Sequence, residues 1–193
     1  MNDARKLKIV LIHGTSRPGN RTEMVTRFVR SMLEEHDEIE LSYADPREME
    51  TPLDGNSDGQ KDPRYSNMTA EADGFFIVTP EYNHGIPGSL KRLLDSELKN
   101  YIHKPVAFAG VSAGPWGGVR AIESLVSSVR EMGMTACFTD VHFPKVQDLF
   151  DDDGNLLDVA FVERTERAVT ELIWMARTMR YGRENIASRY HEV

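Results

Sequence analysis

One cysteine in 193 residues leaves no partner for an internal disulfide and rules out a multi-cysteine metal site. Cys137 sits in Met-Thr-Ala-Cys-Phe and reads as a small strand residue rather than a reactive thiol. Long hydrophobic runs are also missing. The apolar stretch behind the first residues, Leu7 to Ile12, is too short for a signal peptide or a membrane span, so the expected location is the cytoplasm. On that reading the Asn-x-Thr sequons at Asn20 and Asn67 are accidental. Positive charge is scarce as well: 31 Asp+Glu stand against 23 Lys+Arg, a net charge of −8, with no basic cluster. Such a balance repels phosphate backbones and anionic lipid, so neither nucleic acid nor membrane is an expected partner. Disorder is excluded in turn, because 40% of the residues are hydrophobic. A chain of this length can bury roughly 70% of its unfolded surface, so residues 1–193 are expected to form one domain.

What is present is an alternation. Leu7 to His13 is a nearly continuous apolar, β-branched run ending at Gly14, as expected of a strand buried on both faces. Val25, Phe28, Val29, Met32 and Leu33 then recur at helical spacing, and Asn20 with Glu23 has the spacing of a capping box. Ile39 to Tyr43 reads as a second strand, and Gly74 to Thr79 as a third. Pro87 opens a helix carrying Leu90, Leu93, Leu94 and Leu98, and Pro105 to Val111 is a fourth strand. Val119 to Met132 is helical, Met134 to Phe143 contains a fifth strand ended by Pro144, and Leu156 to about Met179 is a long closing helix. Between these lie a polar connection, Ala44 to Ala72, and a tail from Tyr181, neither with apolar periodicity. Repeated strand and helix predict a parallel sheet with right-handed crossovers and helices on both faces. Ligands of such sheets bind beyond the carboxyl ends of the strands, where strand order reverses.

Three loops lie at that end. Gly14 to Thr22 concentrates hydroxyls, glycines, Arg17, Arg21 and a helix start, which together suit a phosphate. Gly14 and Gly19 have the spacing of a nucleotide-binding P-loop, but Asn20-Arg21 stands where Lys-Ser/Thr is needed. Thr79 to Lys91 offers an aromatic, an amide, an imidazole and several rigid or permissive backbone positions, a set that can hold the polar edge of a flat ring. Gly110 to Gly118 is rich in glycine and carries Trp116. Trp116 and Trp174 are expected either in packed positions or at a contact between subunits.

Gly-Thr-Ser-Arg-Pro-Gly-Asn-Arg-Thr at 14–22, Pro80-Glu81-Tyr82-Asn83, the continuation Gly85-Ile86-Pro87-Gly88-Ser89-Leu90-Lys91 and Asp95 resemble the NAD(P)H-dependent FMN reductases of the flavodoxin-like fold. That family includes quinone, azo-dye and chromate reductases. The resemblance implies a three-layer sandwich with a five-stranded parallel sheet in the order 2-1-3-4-5. It implies FMN as cofactor, NADPH or NADH as co-substrate, a small-molecule electron acceptor and a homodimer or homotetramer. Thr15, Ser16, Arg17, Asn20, Arg21 and Thr22 would surround the FMN phosphate. Pro80, Glu81, Tyr82 and Asn83, with His84 and Gly85 behind, would lie along the ring. Ser112, Ala113 and Gly114 would close the site, with Gly117 and Gly118 allowing close approach. The backbone N–H groups of Asn83, His84 and Gly85 are the expected stabilisers of charge on the reduced ring. The family usually has Ser at the position of Asn20, and often at that of Thr15; both departures keep hydrogen-bonding capacity.

Two other readings compete. Gly110-Val111-Ser112-Ala113-Gly114 matches a serine-hydrolase nucleophile elbow, with Leu11-Ile12-His13-Gly14 as an oxyanion-hole strand. Against it, Pro115 to Gly118 intervene before the helical spacing starts, and Asp140, His142 and His191 make no convincing triad with Ser112. An electron carrier of flavodoxin type, without NAD(P)H activity, would also suit the acidic balance.

Overall fold

The computed structural model describes residues 5–51 and 61–190. Its elements in chain order are β1 (Leu7–His13), α1 (Thr22–Glu34), β2 (Ile39–Ala44), α2 (Pro63–Glu71), β3 (Gly74–Pro80), α3 (Gly88–Asp95), β4 (Pro105–Val111), α4 (Val119–Glu131), β5 (Thr135–Ala136), β6 (Val141–Phe143) and α5 (Ala160–Asn185). The strands are parallel, in the order β2-β1-β3-β4-β5, with β6 also on β4. This is the expected doubly wound sheet. Alternation along β1 shows how its two faces are covered. Leu7, Ile9 and Leu11 pack with Val25 and Val29 of α1 and Leu172 and Ala176 of α5, while Val10 and Ile12 pack with Tyr65 of α2, Leu90 of α3 and Leu125 of α4. Each such fully buried aliphatic side chain contributes about 1.5–3 kcal/mol relative to exposure. None of the described helices is long and apolar enough to cross a membrane.

Several boundaries differ from the sequence reading. The Ala44–Ala72 connection contains α2, started by Asp62, whose side chain accepts from the Arg64 N–H, and by Pro63 at the first helical position. Only Tyr65 and Thr69 of α2 are buried. Met68 packs partly buried against the same core as Tyr65, but the further anchors are polar, including Asn100 Nδ2, which donates to Thr69 Oγ1 at 3.0 Å, so the apolar stripe is too short to announce the helix. The part of that connection at 52–60 lies outside the described residues. The helix after Pro87 ends at Asp95, leaving Leu98 exposed beyond it. The fifth strand is split: β5 pairs with the start of β4 and β6 with its end.

The last helix runs past Met179 to Asn185. Val162 points outward, and Phe161 and Thr165 take the core positions. Ion pairing rather than apolar periodicity carries the extension. Arg180 Nη1 lies 3.1 Å from Asp73 Oδ2 and Arg183 Nη2 lies 2.8 Å from Asp73 Oδ1. Asp73 also accepts from the Lys8 N–H, at 3.0 Å. This clamp sits at the amino end of β3, the end of the sheet remote from the three loops of interest. Cys137 is buried, and burial pushes its thiol up to about 12, in keeping with a packed rather than a reactive residue. Trp116 and Trp174 are both exposed, so neither belongs to the core.

Candidate functional site

A cleft of about 420 Å³ opens beyond the carboxyl ends of β1, β3 and β4. Arg17, Asn20, Arg21 and Thr22 form one wall, Pro80, Glu81 and Tyr82 another, and Ser112 and Ala113 a third. Pro18, Gly19, Val111 and Val146 complete the lining. Gly14 sets the closeness of the first two walls: its N–H donates to Val78 O at 2.8 Å, and a Cβ there would stand 2.5 Å from that oxygen. Only glycine lets β1 leave the sheet this tightly against β3.

The first wall is held open from within. Asn20 Nδ2 donates to Arg17 O at 2.8 Å, and Asn20 Oδ1 accepts from the Glu23 N–H at 3.1 Å, so this side chain folds the loop and caps α1. The expected capping box is one-sided, because the Glu23 carboxylate turns to Arg27 and Arg47. Among the described residues, nothing in the chain accepts the backbone N–H groups of Gly19, Asn20, Arg21 and Thr22. A run of unpaired amides at a helix start, beside two arginines, is an anion cradle. Thr15 stands behind this wall, buried, its hydroxyl 3.1 Å from Tyr82 Oη and accepting from the Arg17 N–H at 3.2 Å. Ser16 is exposed and its N–H is tied to Ser89 Oγ at 3.1 Å, away from the lining. Arg17 stacks on Tyr82 with 5.6 Å between guanidinium carbon and ring centre, joining the first wall to the second.

The second wall ends in a tight turn. Tyr82 and Gly85 exchange N–H to O bonds of 3.0 Å in both directions, and the two residues between them, Asn83 and His84, have φ of 51° and 67°. A two-residue turn with both centres left-handed matches the twist of its flanks, and holding non-glycine residues there costs about 1 kcal/mol or more each. The N–H groups of Asn83 and His84 have no acceptor among the described residues. That of Gly85 is already engaged by Tyr82 O, so not all three of the expected amides are unpaired. Glu81 lines the cleft, but its carboxylate is drawn toward α4: Arg120 Nη1 lies 3.1 Å from Oε1, and the Arg120 N–H donates to Oε2 at 3.2 Å.

The third wall is braced from below. Ser112 N–H donates to Phe143 O at 3.1 Å, Val146 N–H to Ser112 O at 3.1 Å, and Lys145 N–H to Gly114 O at 2.9 Å. Gly114 and Gly117 do not line the cleft. A Cβ on Gly117 would meet His142 Cβ at 2.8 Å, and one on Gly118 would meet Val111 N at 2.6 Å. These glycines serve the chain's own crossing from β4 to α4, correcting the expectation that they admit a ligand. The serine-hydrolase geometry is likewise absent. Ser112 Oγ donates to Gly114 O at 2.9 Å, no imidazole among the described residues bonds to it, His191 lying outside them, and α4 begins only at Val119.

Sequence reasoning gave His13 no role at this site except in the hydrolase reading, and it missed Val146 and Arg120. His13 is fully buried under α1. Thr26 donates its hydroxyl proton to Thr22 O, so it accepts from His13 Nδ1–H, at 2.9 Å, and His13 Nε2 has no partner at hydrogen-bond distance among the described residues. Burial holds this imidazole below its ordinary pKa, with Asp45 pulling the other way. The apolar neighbours of His13 in sequence carry no sign of this, and Val146 and Arg120 arrive from elements whose packing only the fold reveals.

A family model described as NADPH-dependent FMN reductase matches residues 7–148, which contain all three walls. The chain belongs to that family. Its relatives include an NADPH azoreductase of Bacillus sp. (strain OY1-2), 33% identical over 128 residues covering 64% of this chain and 68% of the relative. A quinone reductase of Escherichia coli (strain K12) is 32% identical over 128 residues, covering 61% of this chain and 66% of the relative. The chain therefore spans about two thirds of the length of these curated relatives. Among solved structures, the flavoenzyme NAD(P)H:(acceptor) oxidoreductase FerB from Paracoccus denitrificans superposes with a TM-score of 0.71 at 17% identity, covering 89% of this chain and 97% of that one. That likeness shows the fold, which is flavodoxin-like.

The cleft fits the family's cofactor. FMN joins a phosphate to a flat ring with a polar edge, and the cleft pairs an anion cradle at 19–22 with Pro80 to Tyr82; Asn83, His84 and Gly85 do not line it, and the exposed turn at Asn83 and His84 presents its two amides just beyond Tyr82.

Proposed function

We propose that this FMN reductase family member is an NAD(P)H:acceptor oxidoreductase, with the FMN phosphate against Arg17, Arg21 and the 19–22 amides and the ring along Pro80 to His84. Bound FMN supplies hydride acceptance from the nicotinamide and two-electron return to an acceptor, so that NAD(P)H, a proton and a quinone yield NAD(P)+ and a hydroquinone. The protein's share is positioning and charge. The arginines and helix-start amides neutralise the phosphate. The Asn83 and His84 N–H groups supply fixed dipoles to the polar edge of the ring, preorganised by the turn and so costing no rearrangement during the reaction. Thr15, through Tyr82, keeps the phosphate wall and the ring wall in register.

The unpaired amides at 19–22 carry this reading. Acceptors of the azo and quinone classes, named for the relatives, are the first to assay. Self-association as a homodimer or homotetramer belongs to the same reading and is supported by the exposed apolar side chains of Phe138, Trp174 and Ile186. Light scattering at micromolar concentration tests it, a monomer mass being the contrary result.

The main test is the absorption spectrum of protein loaded with FMN, desalted and mixed anaerobically with NADPH or NADH. Retained colour that bleaches is expected, and Arg17→Ala should weaken FMN binding about tenfold or more while leaving riboflavin, which has no phosphate, less affected. Colour that never bleaches would make the protein an electron carrier, and failure to retain FMN would overturn the site.

A further inference from the structure

Trp116 is 62% exposed, an unusual position for so large an apolar ring. It is not on a loose loop. The 112–118 segment is pinned by Lys145 N–H to Gly114 O at 2.9 Å and by Gly117 and Gly118, whose positive φ angles and close contacts with His142 and Val111 fix the path. The indole is also held by its neighbours. The Arg120 guanidinium lies 5.9 Å from the indole centre and pairs with Glu81, a wall residue of the flavin cleft, so an ordered stack leads from the cleft rim to solvent. The Glu81 carboxylate offsets the Arg120 charge, so the stack presents a flat π surface with no net charge. The anion cradle, by contrast, has Arg17 and Arg21.

We propose that Trp116, set by Arg120 and Glu81, is a specificity-determining contact for an uncharged planar aromatic acceptor, of the quinone class, entering beside the flavin ring. This rests on the oxidoreductase reading above. A neutral, flat surface at the rim suits a neutral, flat ring. The geometry therefore assigns Trp116 to the aromatic acceptor.

The test is a stopped-flow comparison of FMN-loaded wild type, Trp116→Ala and Trp116→Phe. Each is reduced with NADPH or, in parallel, with dithionite, and then mixed with 1,4-naphthoquinone or with ferricyanide, a small acceptor without an aromatic ring. Trp116→Ala should raise the half-saturating naphthoquinone concentration about tenfold, with Trp116→Phe recovering most of the loss. The rate of bleaching by NADPH and the rate with ferricyanide should stay within about twofold of wild type. An unchanged naphthoquinone dependence overturns the proposal. So does an equal loss with both acceptors, which marks a structural role, or a changed oligomeric mass, which gives the indole to a second copy of the chain. Wild type that fails to bleach with NADPH overturns the hydride-donor reading alone, since the dithionite arm still decides Trp116.

Discussion

Replacing Thr15 by Val probes the joint between the two cofactor walls. Thr15 is 1% exposed, and its hydroxyl oxygen both accepts from the Arg17 N–H at 3.2 Å and meets Tyr82 Oη at 3.1 Å. Valine keeps the shape of the side chain and leaves no cavity, so the loss is confined to hydrogen bonding. Two bonds at about 1 kcal/mol each sum to about 2 kcal/mol, or roughly a 30-fold fall in the folding constant. Tyr82→Phe removes only the bond to Thr15 and should cost about 1 kcal/mol, because Tyr82 is partly exposed and its partner remains bonded to Arg17. The decisive quantity is the cycle. In the Thr15→Val background that bond is already gone, so Tyr82→Phe should cost nearly nothing, giving a coupling of about 1 kcal/mol. Urea unfolding of the four FMN-free proteins measures all of this, and Thr15→Ser should return most of the loss. Equal costs of Tyr82→Phe in both backgrounds, or a Thr15→Val protein within about 0.5 kcal/mol of wild type, would refute the reasoning. With FMN added, Thr15→Val should bind about tenfold more weakly, as the walls lose their register.

Asp73→Asn leaves Arg180 and Arg183 facing each other without their shared anion, and should cost about 3 kcal/mol, or about 6–12 °C in Tm by calorimetry, with FMN affinity unchanged because the clamp lies at the far end of the sheet. Lys104 is buried, with Nζ donating to Thr69 O at 2.6 Å and Ala70 O at 3.0 Å, and burial pushes its ammonium down to about 8 from 10.5. Between those values the unfolded chain binds the extra proton, so this group's contribution to stability is full above about 10.5 and is lost as pH falls through about 8. Wild type should therefore gain unfolding free energy relative to Lys104→Met between pH 7.5 and pH 10, and parallel profiles would contradict the assignment.

The parts of the fold visible in the sequence are those whose stability is apolar and periodic. Leu7–His13 and Pro105–Val111 coincide with their strands because both faces of each are buried, which leaves a continuous apolar record. The α2 helix is invisible for the opposite reason: Asp62, Asn100 and Thr69 hold it by polar bonds, and Tyr65 and Met68 make only a short stripe. The end of α5 is hidden likewise, since Arg180 and Arg183 are drawn inward by a carboxylate more than a hundred residues away in sequence. At the site, Arg17, Arg21 and Tyr82 are legible because charge, amide and ring types cluster between a strand and a helix. The division of labour among the amides is not, because it depends on a hydrogen bond between Tyr82 and Gly85 that only backbone geometry reveals. The glycines at 117 and 118 mislead for a related reason: composition records an absent side chain but not which neighbour required its absence.

The division of the fifth strand into Thr135–Ala136 and Val141–Phe143 has a bearing on how molecules of this protein meet. An incoming strand needs a continuous row of unpaired amides and carbonyls, and this margin offers only two short pieces separated by a turn that projects Phe138 outward. Polymerisation by strand addition is therefore blocked along that border, at the high concentrations of overexpression as much as in dilute solution. Copies that associate from that side must do so through side chains, and such contacts can close on themselves instead of propagating.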